Sequence, residues 1–232
     1  MARKERGRFI TIEGLDGCGK STQLAMLATA LGQEGVNVTV TREPGGTPLG
    51  EQIRAVLLDS RTAGLSPWAE LALMFAVRTQ HVREFIEPSL ELGNWVLCDR
   101  FTDSSEAYQG GGRQLGTAPV LSLHATLCDG LMPDLTILMD SEIRKTVARA
   151  RRRNRIRFAN EGGLSEADES RFEQESRAFF GRVHNAYLEI ARREPERVRI
   201  VDARRPVDVV HSEILSVVRS RFLPQAVLNL AL

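Results

Sequence analysis

The sequence predicts an α/β fold: three layers, α/β/α, with a five-stranded parallel sheet, helices on both faces and a lid insertion. Three observations carry this. Five short segments are nearly continuous apolar or β-branched runs, which indicates a parallel sheet covered on both faces. Longer amphipathic segments separate them, as parallel strands require. The 232 residues suit one domain, 1–232, with an insertion. Right-handed crossovers then bring the loops that follow the strands to one sheet edge, where ligands are expected.

Phe9-Ile10-Thr11-Ile12 reads as the first strand, and a glycine-rich turn leads from it to a helix over Ser21–Glu34. Val36 to Thr41 (VNVTVT) reads as the second strand, followed by helical patterns at Leu49–Asp59 and Trp68–Leu92. Trp95-Val96-Leu97-Cys98 is the third strand, Ala118–Cys128 the next helix and Leu135–Met139 the fourth strand. Ser141–Arg153 and Ser170–Arg193 read as helices, Val198–Val201 as the fifth strand and Val207–Phe222 as the last helix. Between Arg151 and Ser170 the chain turns from a basic run, Arg151 to Arg157, through Gly162-Gly163 to Glu166, Asp168 and Glu169. A polar segment of both signs between two helices reads as a lid, at about 149–172. The mostly apolar stretch Pro224–Leu232 either packs on the body or frays.

Hydrophobic residues at 42% and charged residues at 26% exclude a disordered chain. Cys18, Cys98 and Cys128 make neither a disulfide framework nor a zinc spacing, and a reducing cytoplasm is the expected setting. No apolar run approaches the ~20 residues of a membrane span. The charged start, Met1 to Arg6, lacks the apolar core of a signal peptide. A net charge of +1 gives a weak overall field, and neither nucleic acid nor membrane is expected as a partner.

Directly after the first strand stands Gly14-Leu15-Asp16-Gly17-Cys18-Gly19-Lys20-Ser21, a full match to G-x-x-x-x-G-K-[ST] between a strand and a helix. The glycines let successive N–H groups turn toward phosphate oxygens, and the helix adds the positive end of its dipole. Lys20 offers a charge to the β- and γ-phosphates and Ser21 a hydroxyl to Mg²⁺, with Thr22 next in the cradle. The spacing is not G-x-G-x-x-G, which disfavours a dinucleotide fold. The lysines are Lys4, Lys20 and Lys145, and none stands in a guanine-reading N-K-x-D segment. A nucleoside triphosphate with Mg²⁺ is therefore expected, and the chain length suits a small kinase better than a motor. Cys18, beside Lys20 and a helix N-terminus, is expected to have a lowered thiol pKa.

At the end of the third strand, Asp99 is placed to hold Mg²⁺ and Arg100 to fork onto a phosphate, the alternative being a surface ion pair. Gly110-Gly111-Gly112 is expected to let backbone approach a ligand closely. His81, His124, His184 and His211 form no metal spacing, and His81 reads as structural or interfacial.

Five spaced motifs between about Phe9 and about Phe222 resemble the thymidylate kinases. They are Thr41-Arg42-Glu43-Pro44-Gly45-Gly46-Thr47; Phe75-Ala76-Val77-Arg78; Asp99-Arg100-Phe101 with Ser104-Ser105 and Ala107-Tyr108-Gln109; Arg171-Phe172-Glu173-Gln174-Glu175; and Val201-Asp202-Ala203 with Pro206. The resemblance implies a P-loop kinase fold and the reaction ATP + dTMP → ADP + dTDP. It implies that Phe75 stacks on the thymine, that Arg78 bonds its edge, and that Tyr108 lies against the sugar and disfavours a 2′-hydroxyl. Gln109 and Ser105 would meet base or sugar, Glu43 and Pro44 would belong to the acceptor site, and Arg100 and Arg54 would hold the acceptor phosphate. Asp16 would sit near acceptor sugar and phosphate, and Ala203 would lie in the adenine loop. A homodimer is implied, through the Trp68–Leu92 helix with Leu71, Leu73, Met74, Phe75, Val77 and Val82, whose apolar faces could equally be buried within one chain. The alternatives are a related (deoxy)nucleotide kinase with another pyrimidine acceptor, or a nucleotide-dependent regulatory P-loop protein.

A phosphate oxygen is mostly deprotonated at neutral pH, with a second pKa of about 6, so no general base is needed. Alignment and charge neutralisation remain to be supplied. The loop residues Leu15, Asp16, Gly17 and Cys18 include no arginine, and the chain resembles the bacterial type that brings one from the lid. Arg149 and Arg153 share a helix face and match those lid arginines, with Arg157 or Arg171 next; a solvated basic face is the alternative. The chain departs from the family in a longer Arg155–Glu169 segment and in Ser170, where the family has Asp.

Overall fold

A computed structural model describes residues 5–62, 64–160 and 170–223. Met1 to Lys4, the Gly162-Gly163 and Glu166–Glu169 part of the expected lid, and Pro224–Leu232 lie outside the described residues.

Strands β1 (Phe9–Glu13), β2 (Val38–Arg42), β3 (Trp95–Asp99), β4 (Leu135–Asp140) and β5 (Val198–Asp202) form one parallel sheet in the order β2-β3-β1-β4-β5. The expected parallel α/β sheet is present. Its register aligns Ile12 with Asp99 and Ile137, Asp99 with Arg42, and Asp140 with Asp202. The carboxyl ends of β1 and β3, centre and neighbour, thus lie side by side, and the Gly14–Ser21 loop leaves from the middle of that edge.

Helix α1 (Lys20–Gln33) and helix α9 (Val207–Phe222) cover one face, with Leu24, Leu27, Leu31, Val210, Ile214 and Val218 buried against Ile10, Ile12, Leu97 and Ile137. Each such side chain contributes roughly 1.5–3 kcal/mol by leaving water. On the other face α3 (Pro67–His81) packs Leu71 and Phe75 on Phe9, Val96, Cys98 and Phe101, with α2 (Pro48–Leu58) beside it.

The long Trp68–Leu92 helix continues from α3 through a π-helical stretch, Val82–Ile86, into a last turn, α4 (Glu87–Glu91). The widened turn is where Pro88, which has no N–H for an i−4 partner, enters the helix. No element was expected over the D-R-F segment, yet α5 (Thr102–Ser105) runs into a π-helix, Glu106–Gly112, followed by α6 (Thr117–Leu127). Helix α7 (Ile143–Asn160) carries on beyond Arg153.

The expected helix start at Ser170 is wrong. Helix α8 spans Arg177–Arg193 and begins where Ser176, with extended backbone, accepts the Phe179 N–H at 3.1 Å. Residues 170–175 form turns instead, because the Arg171 N–H donates to Leu58 C=O at 3.1 Å.

The triple glycine corrects another expectation. It admits a helix, not a ligand: a Cβ on Gly112 would lie 2.6 Å from the Phe179 ring, and one on Gly111 2.6 Å from Ala186. Arg182 of α8 then forks onto the Gly112 carbonyl at 2.8 and 3.1 Å. Helix α8 is thereby clamped to the π-helix that carries Tyr108 and Gln109.

Candidate active site

The phosphate loop links the last residue of β1 to the first of α1. Gly17 has φ +88°, and a Cβ there would sit 2.4 Å from the Thr146 carbonyl of α7, close to Arg149 as well. Helix α7 therefore rests directly on the loop. Lys20 is buried and its Nζ donates to the carbonyls of Gly14 and Leu15 at 3.2 and 3.1 Å, with Asp16 Oδ1 at 3.7 Å. Leu15 and Cys18 face inward, while Ser21 and Thr22 are exposed. Burial pushes the Cys18 thiol up, and Lys20 and Arg100 do not offset it, so the expected lowered pKa is corrected.

Ser21 Oγ donates to Asp99 Oδ2 at 3.0 Å, and Asp99 Oδ1 is buried with no hydrogen-bond partner among the described residues. A hydroxyl and a carboxylate with an orphaned oxygen form a hard, oxygen-only donor set of the kind Mg²⁺ takes. The residues present fit that ion.

Arg100 follows β3 with φ +74°, a left-handed conformation that costs a residue with a side chain roughly 1–2 kcal/mol. Its Nη2 donates to Asp16 Oδ1 at 2.7 Å and to the Tyr108 hydroxyl at 3.2 Å. Its Nη1 donates to Ser104 Oγ at 2.9 Å and to the Tyr187 hydroxyl at 3.1 Å. Burial works to raise the Asp16 pKa, but Arg100, then Lys20, with Arg153 adding its field, hold the carboxyl well below the usual carboxylate range. Asp16 is thus an ionised hinge between the cradle lysine and Arg100.

Glu43, joined to Pro44 by a cis peptide bond, is buried and accepts from Arg78 Nε at 2.7 Å. His81 Nδ1 lies 3.1 Å from the same carboxylate and its Nε2 2.7 Å from the Thr41 hydroxyl, so His81 proves structural. Burial raises the Glu43 pKa, but Arg78 and His81 bring it below its ordinary value. Arg78 also donates to Phe101 C=O at 3.2 Å and Ser105 Oγ at 3.0 Å and lies over the Phe75 ring, while its Nη1 is buried without a hydrogen-bond partner among the described residues. Phe75 itself is fully buried. Arg54 Nη1 donates to Pro44 C=O at 2.8 Å.

Tyr108 packs edge-on against Phe172, Phe179 and Tyr187. Gln109 donates to Glu70 Oε1 at 2.8 Å. Glu70 also takes Arg113 and Arg171, and Arg171 further donates to Leu57 C=O at 3.0 Å. That engagement commits the Arg171 guanidinium to Glu70 and the Leu57 carbonyl. Arg149 and Arg153 are exposed on α7 beside the loop, and the field of Arg153 reaches both Asp16 and Glu173. Burial, with Asp16 next, pushes Glu173 up to about 7. Ala203 lies beyond β5, its N–H on Asp140 C=O at 2.8 Å.

Sequence reasoning missed Glu13, Tyr187 and the ion pair in which Arg197 Nη1 and Nη2 donate to the Asp103 carboxylate at 2.7 and 2.9 Å. Glu13 had one available signal, a charge closing an otherwise uncharged strand. Tyr187 fell among the apolar positions Val183 and Ile190 of α8, and nothing in that pattern tells where its hydroxyl goes. Burial, then Asp103, pushes Glu13 up to about 7, against the pull of Arg100, Ser104 and the Phe101 N–H.

Residues 12–214 match the protein-family model described as Thymidylate kinase. The thymidylate kinase of Bordetella pertussis is 50% identical over 214 residues, covering 92% of this chain and 95% of that protein. That of Alkalilimnicola ehrlichii is 48% identical over 205 residues, 88% and 89% of the two. A crystal structure of thymidylate kinase from Ehrlichia chaffeensis aligns with a TM-score of 0.71 and 32% identity, over 92% of this chain and 99% of that one.

Proposed function

The chain belongs to the thymidylate kinase family, and from that premise we infer that it transfers the γ-phosphoryl group of ATP to dTMP, giving ADP and dTDP. It is an ATP-dependent kinase on an α/β P-loop fold. The relatives named above are thymidylate kinases, which favours dTMP over another pyrimidine acceptor and an enzyme over a regulator.

The observation that carries the assignment of roles is the meeting of Lys20, Asp16 and Arg100. The donor cradle and the arginine proposed for the acceptor phosphate share one carboxylate, at 3.7 and 2.7 Å. In our reading the N–H groups of the loop, Gly14 through Ser21 with Thr22, take the phosphates of ATP, and Ala203 borders its adenine. Ser21 and Asp99 would hold Mg²⁺, which when bound supplies charge neutralisation at the phosphates. Arg100 and Arg54 orient the acceptor phosphate. Glu43, Pro44, Arg78, Phe75, Ser105, Tyr108 and Gln109 form the pocket for the nucleoside, and Arg78 Nη1, which has no hydrogen-bond partner among the described residues, is the donor for a base edge. Arg149 and Arg153 bring the lid charge; their place beside Gly17 and Asp16 supports this. We read the whole as one kinase domain with its lid at about 149–172.

A homodimer is also our reading. Leu71, Met74, Phe75, Val77 and Val82 are buried within the chain, so its contact would fall elsewhere, and Leu49, Val56 and Trp68 are exposed apolar side chains on α2 and at the start of α3. No helix among the described residues is long and apolar enough to cross a membrane; a cytoplasmic setting is proposed. ADP release that depends on dTMP tests the function directly.

A further inference from the structure

Glu13 has no part in the roles assigned above, yet it is fully buried directly behind Arg100. Its Oε1 accepts the Phe101 N–H at 2.7 Å, at the residue that follows the left-handed backbone of Arg100. Its Oε2 accepts from Ser104 Oγ at 2.6 Å and from the Tyr187 hydroxyl at 3.0 Å. Ser104 and Tyr187 lie 2.8 Å apart, and both receive hydrogen bonds from Arg100 Nη1.

A hydroxyl has one hydrogen to give. Once Glu13 is ionised, above about pH 7, Ser104 and Tyr187 both donate to its carboxylate, and each has only lone pairs left to turn toward Arg100. The carboxylate therefore sets the direction of two hydroxyls and makes both acceptors for one guanidinium nitrogen. Its charge acts on Arg100 through a layer of hydroxyls, without a direct ion pair that would draw the guanidinium inward. The two nitrogens of Arg100 are thereby divided in task. Nη1 is anchored inward on Ser104 and Tyr187, and Nη2 points outward to Asp16 and Tyr108. A phosphate can take the place of Asp16 at Nη2 while Nη1 stays held.

We propose that Glu13 and Tyr187 are positioning residues for Arg100, holding its backbone turn and its inner guanidinium nitrogen in the pose that meets the acceptor phosphate. The inference rests on the reading of Arg100 as the phosphate-binding arginine. It also gives α8 a function: the close packing of Phe179 and Ala186 on the glycine run seats the helix so that Tyr187 reaches the site.

The test compares Arg100→Ala, Tyr187→Phe and Glu13→Gln in steady-state kinetics, varying dTMP at saturating ATP and ATP at saturating dTMP. Arg100→Ala should raise KM for dTMP by at least about tenfold. Tyr187→Phe, which removes only a hydroxyl, should raise it about threefold to tenfold, with KM for ATP within about twofold of wild type. Glu13→Gln should act in the same direction and more strongly. Placed on the Arg100→Ala background, Tyr187→Phe should add less than about twofold, because its target is gone. The inference is overturned if Tyr187→Phe leaves KM for dTMP unchanged, or changes it equally with and without Arg100, while Arg100→Ala alone raises it. If Arg100→Ala itself has no effect on dTMP, the reading of Arg100 fails, and the inference with it. Should Glu13→Gln not fold, the tyrosine pair of variants decides.

Discussion

Arg100 Nη2 lies 2.7 Å from Asp16 Oδ1, joining the turn after β3 to the second variable position of the phosphate loop. The bond links the two halves of the site. Asp16 is held ionised by Arg100 and Lys20 together, and it offers Arg100 an anion at the place proposed for the acceptor phosphate. Removing the carboxylate leaves two cations facing each other without their common partner. Asp16→Ala is expected to lower kcat/KM for dTMP at least about tenfold, as misalignment does, with the fold retained. Coupled ADP release and far-UV circular dichroism measure the two halves of that expectation.

Glu13 gives a pH dependence of stability with an unusual sign for a carboxylate. Its ordinary pKa of 4.5 is raised to about 7 by burial and by Asp103. A raised value means that folding favours the protonated form. The contribution is complete below about 4.5 and is lost as pH rises through about 7. Denaturant titrations of wild type and Glu13→Gln should show wild type losing stability relative to the variant between pH 5 and pH 8. A difference that stays flat over that range contradicts the burial argument.

Gly112→Ala should destabilise the protein. The added methyl meets the Phe179 ring at 2.6 Å and the Val183 side chain at 2.9 Å, both buried. Overpacking of this kind costs about 1–3 kcal/mol, and thermal unfolding should show the lowered Tm. Gly116→Ala has no neighbour within 4 Å to meet, so any loss there comes from its φ of +83° alone.

The arginines proposed for the lid, Arg153 and Arg149, should act on the transition state. Arg153→Ala, and next Arg149→Ala, are expected to lower kcat strongly with little change in KM for dTMP. An arginine delivered to a migrating phosphoryl group is worth ~10³–10⁵ in rate in related transfers, and its energy is realised only when the lid closes. Unchanged kcat in both variants would move the charge to another cation. Arg171 is no substitute, being committed to Glu70 and the Leu57 carbonyl.

Much of this arrangement was legible in the sequence because it is local. The five strands stood out as short runs of mostly apolar and β-branched residues, with Arg199 the one charge among them, and the phosphate loop, Asp99 and Arg100 stood at strand ends whose alignment follows from parallel pairing. Legibility failed where the determinant was a long-range partner. The start of α8 was misplaced because Arg171 binds Leu58, a contact no local pattern records. The glycine run was read as a ligand approach because its neighbour, Phe179, lies 67 residues on in sequence (179 − 112). Tyr187 was hidden in an apolar stripe, since periodicity reports that a face is buried and not that one hydroxyl on it meets Arg100. Cys18 was misjudged because loop position suggested a field from Lys20 while burial of the thiol outweighs it.

The most direct test of the central claim is ADP release from ATP measured across dTMP, dUMP, UMP, CMP and thymidine, with Lys20→Ala as the control that removes the cradle charge. Turnover should require the acceptor, be fastest with dTMP and vanish in Lys20→Ala. Preference for UMP, CMP or the unphosphorylated nucleoside, or ATP hydrolysis indifferent to dTMP, would contradict it.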